Sequence, residues 1–256
     1  ITLILQHYQN KRIFSLIVFL CQNRMFKLRT EKIKLMFDSI SKEYDFLNRI
    51  LTFGTDHKNK KEIANLVKEK NPSKVLDIAT GTADIPIILS EIYDCEITGV
   101  DISEKMISEG RKKVKSKNLS KQINLDIGNA EKLKYNCNYF DVVTICFGVR
   151  NVEYLERSLN EAHRVLKNSG SLIIYETSKP ENIMIRFLYY IFSTLYVPLM
   201  GLLFSKNPGA YFYLQMSSKV FPSGRNFLKI LSNVGFYDFE IREKLFGTLS
   251  IYVAKK

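Results

Sequence analysis

The chain has 256 residues, of which 46% are hydrophobic and 25% charged, and its formal net charge is +12. This length and apolar content are enough for a buried core, which excludes a disordered chain. The four cysteines lie far apart, without Cys-x-x-Cys spacing or nearby histidines, which excludes a zinc finger and a disulfide-stapled scaffold. We therefore expect a globular protein without a metal site.

The first 30 residues hold a disproportionate share of the positive charge. They contain five basic side chains and no acid, on either side of an apolar stretch at 13–21. Because this stretch is short for a membrane span, we expect a targeting segment that is separate from the fold. Its basic, acid-free flanks favour a mitochondrial presequence over a secretion signal. An ordinary N-terminal helix is the remaining alternative.

The rest of the chain, 31–256, is predicted to be a single domain. Residues 31–70 show apolar side chains on one helical face, first over 33–40 and again in a helix at 58–70. Short apolar runs then alternate with helical patterns: strand 74–78, helix 84–93, strand 96–100, helix 103–116, strand 122–126, strand 140–146, helix 154–166, strand 171–176, and strands 238–242 and 248–254. This order predicts an α/β domain with a doubly wound, mainly parallel seven-stranded sheet and an antiparallel C-terminal hairpin.

The segment Val-Leu-Asp-Ile-Ala-Thr-Gly-Thr-Ala-Asp at 75–84 joins the first strand to the next helix through a turn at Gly81. Twenty residues after Gly81, a second apolar run ends in Asp101. Doubly wound domains bind adenosine-bearing cofactors with this arrangement, and the carboxylate accepts hydrogen bonds from the ribose. A pyrophosphate needs three glycines, whereas this turn has one. With Asp77 and Asp84 nearby, the turn favours the positively charged S-adenosylmethionine, and another ligand on the same fold is the alternative.

Residues 187–204, FLYYIFSTLYVPLMGLLF, are eighteen residues without a charge. Their length permits a short transmembrane helix, which Pro198 and Gly201 would weaken. A helical lid over the site, with an outer face apolar enough to lie on a bilayer, accounts for the same residues. A plain core helix is the third alternative. We expect the lid, as part of an apolar segment at 183–222.

Four further stretches carry a family pattern. They are YDFLN at 44–48 with Phe53-Gly54, FGVRN at 147–151, RVLK at 164–167 with Gly170, Glu176 and Ser178-Lys179-Pro180, and FGTLSI at 246–251. Together they resemble the signatures of the ubiquinone/menaquinone biosynthesis C-methyltransferases, which methylate a ring carbon of a polyprenylated quinol. The resemblance implies the class I S-adenosylmethionine-dependent methyltransferase fold, and C-methylation of a polyprenylated benzoquinol in ubiquinone biosynthesis, as in the mitochondrial type.

The resemblance also implies roles for individual residues. The expected cofactor-binding residues are Asp77, Gly81, Thr82, Asp101, Ile102, Asn129, Ala130 and Cys146. Arg150 and Asn151 are the expected catalytic residues, Arg150 by stabilising a phenolate, and its structural alternative is to anchor its own loop through a carboxylate. The expected substrate-side residues are Tyr44, Asn48, Phe147 and Tyr211.

The chain departs from the family pattern at several positions. Thr80 and Ala83 replace glycines of the cofactor turn, and Asp56 and Asn59 stand where the family usually has His and Trp. An alanine in a turn costs little if its φ stays negative, so we expect Ala83 to be tolerated. The altered turn motivates one alternative, a non-catalytic scaffold of a quinone-synthesis complex.

Two other functions are alternatives to the predicted methylation of a benzoquinol. A demethylmenaquinol C-methyltransferase fits the same signatures, and the positive charge, including the basic cluster at 111–117, motivates an RNA methyltransferase. The alternative without a ligand is that the cluster is the solvated end of the helix after Asp101. We expect a polyprenylated quinol, a membrane surface and other quinone-biosynthesis proteins as partners, a homodimer as an option, and no nucleic acid. The expected location is the matrix side of the mitochondrial inner membrane.

Overall fold

The structure is a computed structural model, and it describes residues 30–256. The predicted targeting segment at 1–30 therefore lies outside the described residues except for its last position. Within residues 30–256, seven strands form one sheet: β1 (Lys74–Ile78), β2 (Glu96–Asp101), β3 (Ile123–Ile127), β4 (Phe140–Cys146), β5 (Leu166–Thr177), β6 (Tyr237–Lys244) and β7 (Leu249–Lys255).

The sheet order is β3-β2-β1-β4-β5-β7-β6. The first five strands in this order pair in parallel, and β7 runs antiparallel to both β5 and β6. The predicted doubly wound, mainly parallel sheet with an antiparallel C-terminal hairpin is confirmed. The order reverses between β1 and β4, which is where open α/β sheets bind their ligands.

Ten α-helices cover the sheet in the described part of the chain: α1 (Thr30–Ile40), α2 (Tyr44–Leu51), α3 (Asp56–Lys68), α4 (Asp84–Ser90), α5 (Glu104–Ser116), α6 (Leu155–Val165), α7 (Ile183–Ile191), α8 (Val197–Phe204), α9 (Pro208–Val220) and α10 (Arg225–Val234). Residues 31–70 were predicted to form two helices and form three, because the eight-residue helix α2, in which only Leu47 is fully buried, lies between them.

The central strands are apolar on both faces because helices cover both sides of the sheet. Val75 and Val142 belong to the core on one face, and their chain neighbours Leu76 and Val143 belong to the core on the other. A third apolar cluster joins α1 and α2 to α9. The N-terminal helices and the 183–222 segment therefore pack together at one end of the sheet.

Helices α7 and α8 are continuous through a π-helical turn at Phe192–Tyr196. Among the described residues, the resulting 22-residue helix Ile183–Phe204 is long and apolar enough to cross a membrane, with a mean hydropathy of 1.7. Pro198 does not break it, because it lies in the first turn of α8, directly after the π turn. Gly201 serves close packing: a Cβ there would lie 2.6 Å from the Cβ of Tyr211 on α9.

Candidate active site

Two adjoining cavities open among the described residues at the carboxyl ends of β1, β2 and β4. The larger has a volume of about 440 Å³ and the smaller about 80 Å³. Their shared wall contains Tyr44, Ala79, Gly81, Cys146 and Phe147. The larger cavity extends beneath the helix Ile183–Phe204, and the smaller one extends toward the end of β2.

Asp101 ends β2 and lines the smaller cavity with Ile102 and Ala130. Its carboxylate accepts hydrogen bonds from the Gly81 N–H at 2.9 Å and the Ser103 N–H at 2.8 Å. Burial raises the pKa of Asp101 above its ordinary value, although these backbone donors oppose the shift. The carboxylate is thus fixed beside the turn, where an acceptor for ribose hydroxyls is needed.

Asn129 does not line either cavity, unlike its neighbours Gly128 and Ala130. Its side-chain oxygen accepts a hydrogen bond from the Glu131 N–H at 2.8 Å. Its amide therefore shapes its own loop in this structure, and the predicted contact with adenine stays a prediction.

The turn after β1 is strained. Ala79, Gly81 and Ala83 all have positive φ, at 56°, 55° and 65°. The condition under which an alanine costs little, a negative φ, is not met at Ala83, because the chain reverses there to start α4, which places Ala83 in the left-handed region at the helix N-cap. An alanine in this conformation costs roughly 1–2 kcal/mol. Thr80 is accommodated by a glycine on the next strand: a Cβ at Gly99 would lie 2.7 Å from Thr80 Oγ1.

A charged network fastens helix α2 to this turn. The Lys113 ammonium contacts Asp45 at 2.8 Å, the Thr82 hydroxyl at 3.1 Å, and Asp84. Thr82 donates to Asp45 at 2.6 Å, and Lys60 contacts Asp84 at 2.7 Å. Burial by itself would raise the pKa of Asp84, but the two ammonium groups hold it below its ordinary value. The negative charge of Asp84 is thus balanced by the ammonium groups of Lys60 and Lys113.

Sequence reasoning missed the role of Lys60 and Lys113 in this network, and Lys113 was only counted in the basic cluster at 111–117. Other members of the cluster are paired as well. Arg111 donates to the Leu125 carbonyl at 2.6 Å, and Lys117 pairs with Glu91 at 2.8 Å. These contacts favour the interpretation of a helix end paired with its own domain over a nucleic-acid surface.

Asp77 is a buried carboxylate in the wall of the larger cavity. It accepts a hydrogen bond from the Thr144 hydroxyl at 2.5 Å, and burial raises its pKa to about 6. Cys146 lies at the end of β4, where burial raises the pKa of its thiol well above the ordinary value. The thiol is therefore a neutral wall group, whereas Asp77 can offer a negative charge near neutral pH.

The Phe147–Asn151 segment follows β4 and includes a 3₁₀ turn at Val149–Asn151. Arg150 Nη1 donates to the Phe147 carbonyl at 3.0 Å and to Glu176 Oε1 at 2.5 Å. Arg150 lines the larger cavity and Asn151 the smaller. The anchoring contact that was the structural alternative for Arg150 is present, and the same side chain also reaches the cavity. In the sequence, Glu176 stands out only as part of a family signature.

The predicted substrate-side residues divide into two groups. Tyr44 and Phe147 line both cavities, and Asn48 lines the larger. Tyr211 lines neither cavity and is fully buried in the cluster that joins α1 and α2 to α9, so its predicted contact with the substrate stays a prediction. The face of α9 that reaches the larger cavity was missed in the sequence and carries Leu214, Gln215 and Ser218.

The residues present fit a positively charged, adenosine-bearing cofactor. Asp101 offers a carboxylate for the ribose, and Asp77 offers one for a positive centre. Asn151 Oδ1 is buried at the smaller cavity without a hydrogen-bond partner among the described residues, so it is an acceptor that a bound group can satisfy. Residues 30–256 contain no cluster of three or more side chains suited to a metal ion.

Comparison with known proteins identifies relatives over nearly the whole chain. A profile of the ubiE/COQ5 methyltransferase family matches residues 25–256. A demethylmenaquinone methyltransferase from Bacteroides fragilis is 37% identical over 229 residues, which cover 89% of this chain and 94% of the relative. The ubiquinone/menaquinone biosynthesis C-methyltransferase UbiE of Geotalea daltonii is 36% identical over 236 residues, covering 91% of this chain and all of the relative.

A demethylmenaquinone methyltransferase from Chlorobaculum tepidum is 38% identical over 229 residues, covering 88% of this chain and 92% of the relative. Among solved structures, a SAM-dependent methyltransferase from Thermotoga maritima superposes with a TM-score of 0.63 at 20% identity, covering 88% of this chain and 99% of that one. This likeness shows the fold. These three relatives are bacterial, so the predicted mitochondrial localisation is wrong. The prediction failed because basic, acid-free N-terminal residues are not specific to a presequence.

Proposed function

Since the chain belongs to the ubiE/COQ5 methyltransferase family, we propose that it methylates a ring carbon of demethylmenaquinol, a polyprenylated naphthoquinol. The chain is an S-adenosylmethionine-dependent C-methyltransferase of quinone biosynthesis. The assignment of a naphthoquinol substrate rests on the 37% identity, over 89% of this chain, with a relative named for demethylmenaquinone. The relatives support this alternative better than the ubiquinone step that was the main expectation.

S-adenosylmethionine supplies the methyl group on a positively charged sulfur when it is bound. In this chain, Asp101 would hold the ribose, the Gly81 turn would admit the cofactor close to the backbone, and Asp77 would face its positive centres. The strained turn keeps these groups in place before the cofactor arrives. These assignments rest on the position of each residue in the walls of the two cavities.

A quinol ring carbon becomes nucleophilic when a neighbouring hydroxyl acquires phenolate character. Arg150 lines the larger cavity, and its guanidinium is a cation without an acceptor, so it can stabilise that negative charge but does not take the proton. Tyr44 lines both cavities and Asn151 lines the smaller one, so they can orient the ring and the cofactor. The apolar side chains of the lid exclude water from the reaction.

We further propose that the lid helix Ile183–Phe204 lies in the plane of a bilayer. Only 11% of its apolar window is buried. Its exposed large apolar side chains are Ile183, Met184, Phe187, Leu188, Tyr190, Ile191, Leu195, Leu199, Leu202, Leu203 and Phe204. Phe53, 71% exposed, continues this surface and packs on Phe192 and Tyr196 at the cavity mouth. A prenyl chain can leave the cavity there without entering water.

Attachment at both ends argues against a membrane-spanning helix. Near its start, Tyr189 lines the larger cavity, and near its end Gly201 packs on Tyr211. A helix of this length is about 33 Å long, at 1.5 Å per residue. Spanning would carry one end across the bilayer and away from the domain that holds both ends. An in-plane orientation keeps both attachments.

The substrate is tested in a bacterium that makes both quinones and lacks its own quinone C-methyltransferase. Expression of this chain should restore menaquinone and remove accumulated demethylmenaquinone, as measured by mass spectrometry of extracted quinones. The Arg150→Ala variant, produced at the same level, is the matched control. Restoration of ubiquinone with demethylmenaquinone left in place would reverse the assignment, and restoration of neither would reject both quinols.

A further inference from the structure

Glu176 is a fully buried carboxylate directly behind Arg150. Its Oε1 accepts hydrogen bonds from Arg150 Nη1 at 2.5 Å, from the Thr177 N–H at 2.7 Å and from the Thr177 hydroxyl at 3.2 Å. Its Oε2 is buried without a hydrogen-bond partner among the described residues. A carboxylate held in this way is costly to bury unless its cationic partner stays in place.

The contacts of Arg150 fix the orientation of its guanidinium. Nη1 has two N–H groups, and the structure directs them to the Phe147 carbonyl and to Glu176. Because the guanidinium is planar, holding one nitrogen at two acceptors holds the whole group. Arg150 Nε remains buried without a partner in the described part of the chain, although the side chain lines the larger cavity.

Glu176 stands on a rigid element. It lies near the end of β5, which pairs with β4 on one side and with β7 on the other, and it is directly opposite Ser250 in the second of these pairings. Arg150, in contrast, lies on the short turn that follows β4. A rigid strand that fixes a side chain on a loop is the arrangement that keeps an active-site group within tenths of an ångström of its working position.

We propose that Glu176 is a positioning residue for methyl transfer, which holds the Arg150 guanidinium toward the quinol and acts only through Arg150. This inference rests on the proposed function of Arg150. Glu176 does not line either cavity among the described residues, whereas Arg150 and Thr177 line the larger. It is therefore placed to orient the group that meets the quinol and not to meet the quinol itself.

A double-mutant cycle in the purified full chain tests this. Glu176→Gln should lower kcat for quinol methylation by about tenfold, with KM for S-adenosylmethionine changed by less than about twofold, because the oriented ion pair is lost but the cofactor wall is kept. In an Arg150→Ala background, the same Glu176→Gln change should alter kcat by less than about twofold. Glu176→Asp, one methylene shorter, should recover part of the activity.

Two outcomes would overturn the inference. One is a Glu176→Gln variant with native kcat, and the other is an equal loss of kcat in the native and Arg150→Ala backgrounds, which would give Glu176 an independent role. Glu161→Gln is the matched control. Glu161 pairs with Arg164 at 2.7 Å away from the cavities, so its loss should leave kcat unchanged.

Arginine side-chain NMR separates this inference from the proposed function, because it needs no turnover. In the native chain, rotation of the Arg150 guanidinium about its Nε–Cζ bond should be slow, and in Glu176→Gln it should be fast. Fast rotation in the native chain would contradict the positioning role even if the enzyme is active. A native chain that shows slow rotation but methylates no quinol would instead reject the proposed substrate.

Discussion

The central sheet and the lid helix are both strongly apolar, yet they place their apolar side chains in opposite environments. Val75, Leu76, Val142 and Val143 of the central strands are fully buried, whereas only 11% of the apolar window in Ile183–Phe204 is buried. The apolar side chains of the sheet are buried by folding itself. Those of the lid stay exposed in the folded chain and are available to another apolar environment, such as a bilayer. The cavity lies between them, with a floor of charged and polar loops and an apolar roof.

The largest expected effect concerns Arg150, at the boundary between floor and roof. Arg150→Ala should lower kcat by about 10²–10³, the usual range for removing a group that stabilises developing negative charge, with little change in cofactor affinity. Arg150→Lys should recover part of the rate, because it keeps a charge beside Glu176 but lacks the planar fork. Steady-state kinetics and calorimetry measure both. A folded Arg150→Ala variant with native turnover would make Arg150 purely structural.

The next effect concerns Asp77, a buried carboxylate in the floor. Its pKa is raised from 3.8 to about 6 in the folded protein, so the folded state binds the proton more tightly than the unfolded state. The contribution of Asp77 to stability should therefore be fully present below about pH 4 and be lost as pH rises toward 6. Asp77→Asn removes this loss and should be more stable above pH 6 by up to about 3 kcal/mol, at 1.36 kcal/mol per pKa unit.

Denaturant unfolding at several pH values checks the Asp77 prediction. The two proteins should have equal stability near pH 4 and diverge above it. A constant difference at all pH values would mean that the substitution acts through packing and not through the charge.

Asp101 tests the cofactor side of the floor. Asp101→Ala should weaken S-adenosylmethionine binding by roughly ten- to a hundredfold, since a hydrogen bond to a charged group contributes about 1.5–3 kcal/mol. Asp94→Ala, an exposed aspartate in the loop before β2, is the control and should bind normally. Calorimetry measures both affinities. Native affinity in a folded Asp101→Ala variant would place the ribose elsewhere.

The smallest effect tests the roof. Replacing Leu195 and Leu203 with Lys should weaken binding to liposomes by roughly tenfold, equivalent to about 1.4 kcal/mol, with the free energy of unfolding unchanged. Leu35→Lys on α1 is the control. The side chain of Leu35 is 63% exposed and that of Leu195 is 65% exposed, but Leu35 lies outside the lid. Equal liposome binding by all variants would remove the membrane role. Retention of the native protein through carbonate extraction would favour a spanning helix.

The sequence predicted those features that depend on spacing along the chain. Strand periodicity located the sheet, and the interval from Gly81 to Asp101 placed a carboxylate beside the turn, where it accepts the Gly81 N–H. The sequence did not reveal contacts between distant elements, such as Lys113 with Asp45 or Arg150 with Glu176, because these contacts depend on how loops and helices pack. The positive φ of Ala83 was missed for a related reason: the turn geometry imposes it against the preference of alanine.

The substrate of the enzyme is identified most directly with the purified chain and S-adenosylmethionine, given either demethylmenaquinol or a methoxy-polyprenyl benzoquinol. Mass spectrometry and NMR of the product would show whether one methyl group is added and whether it is on a ring carbon. We expect a ring-methylated naphthoquinol, formed with a higher kcat/KM than the benzoquinol product. Transfer to the benzoquinol alone, or to a hydroxyl oxygen, would contradict it.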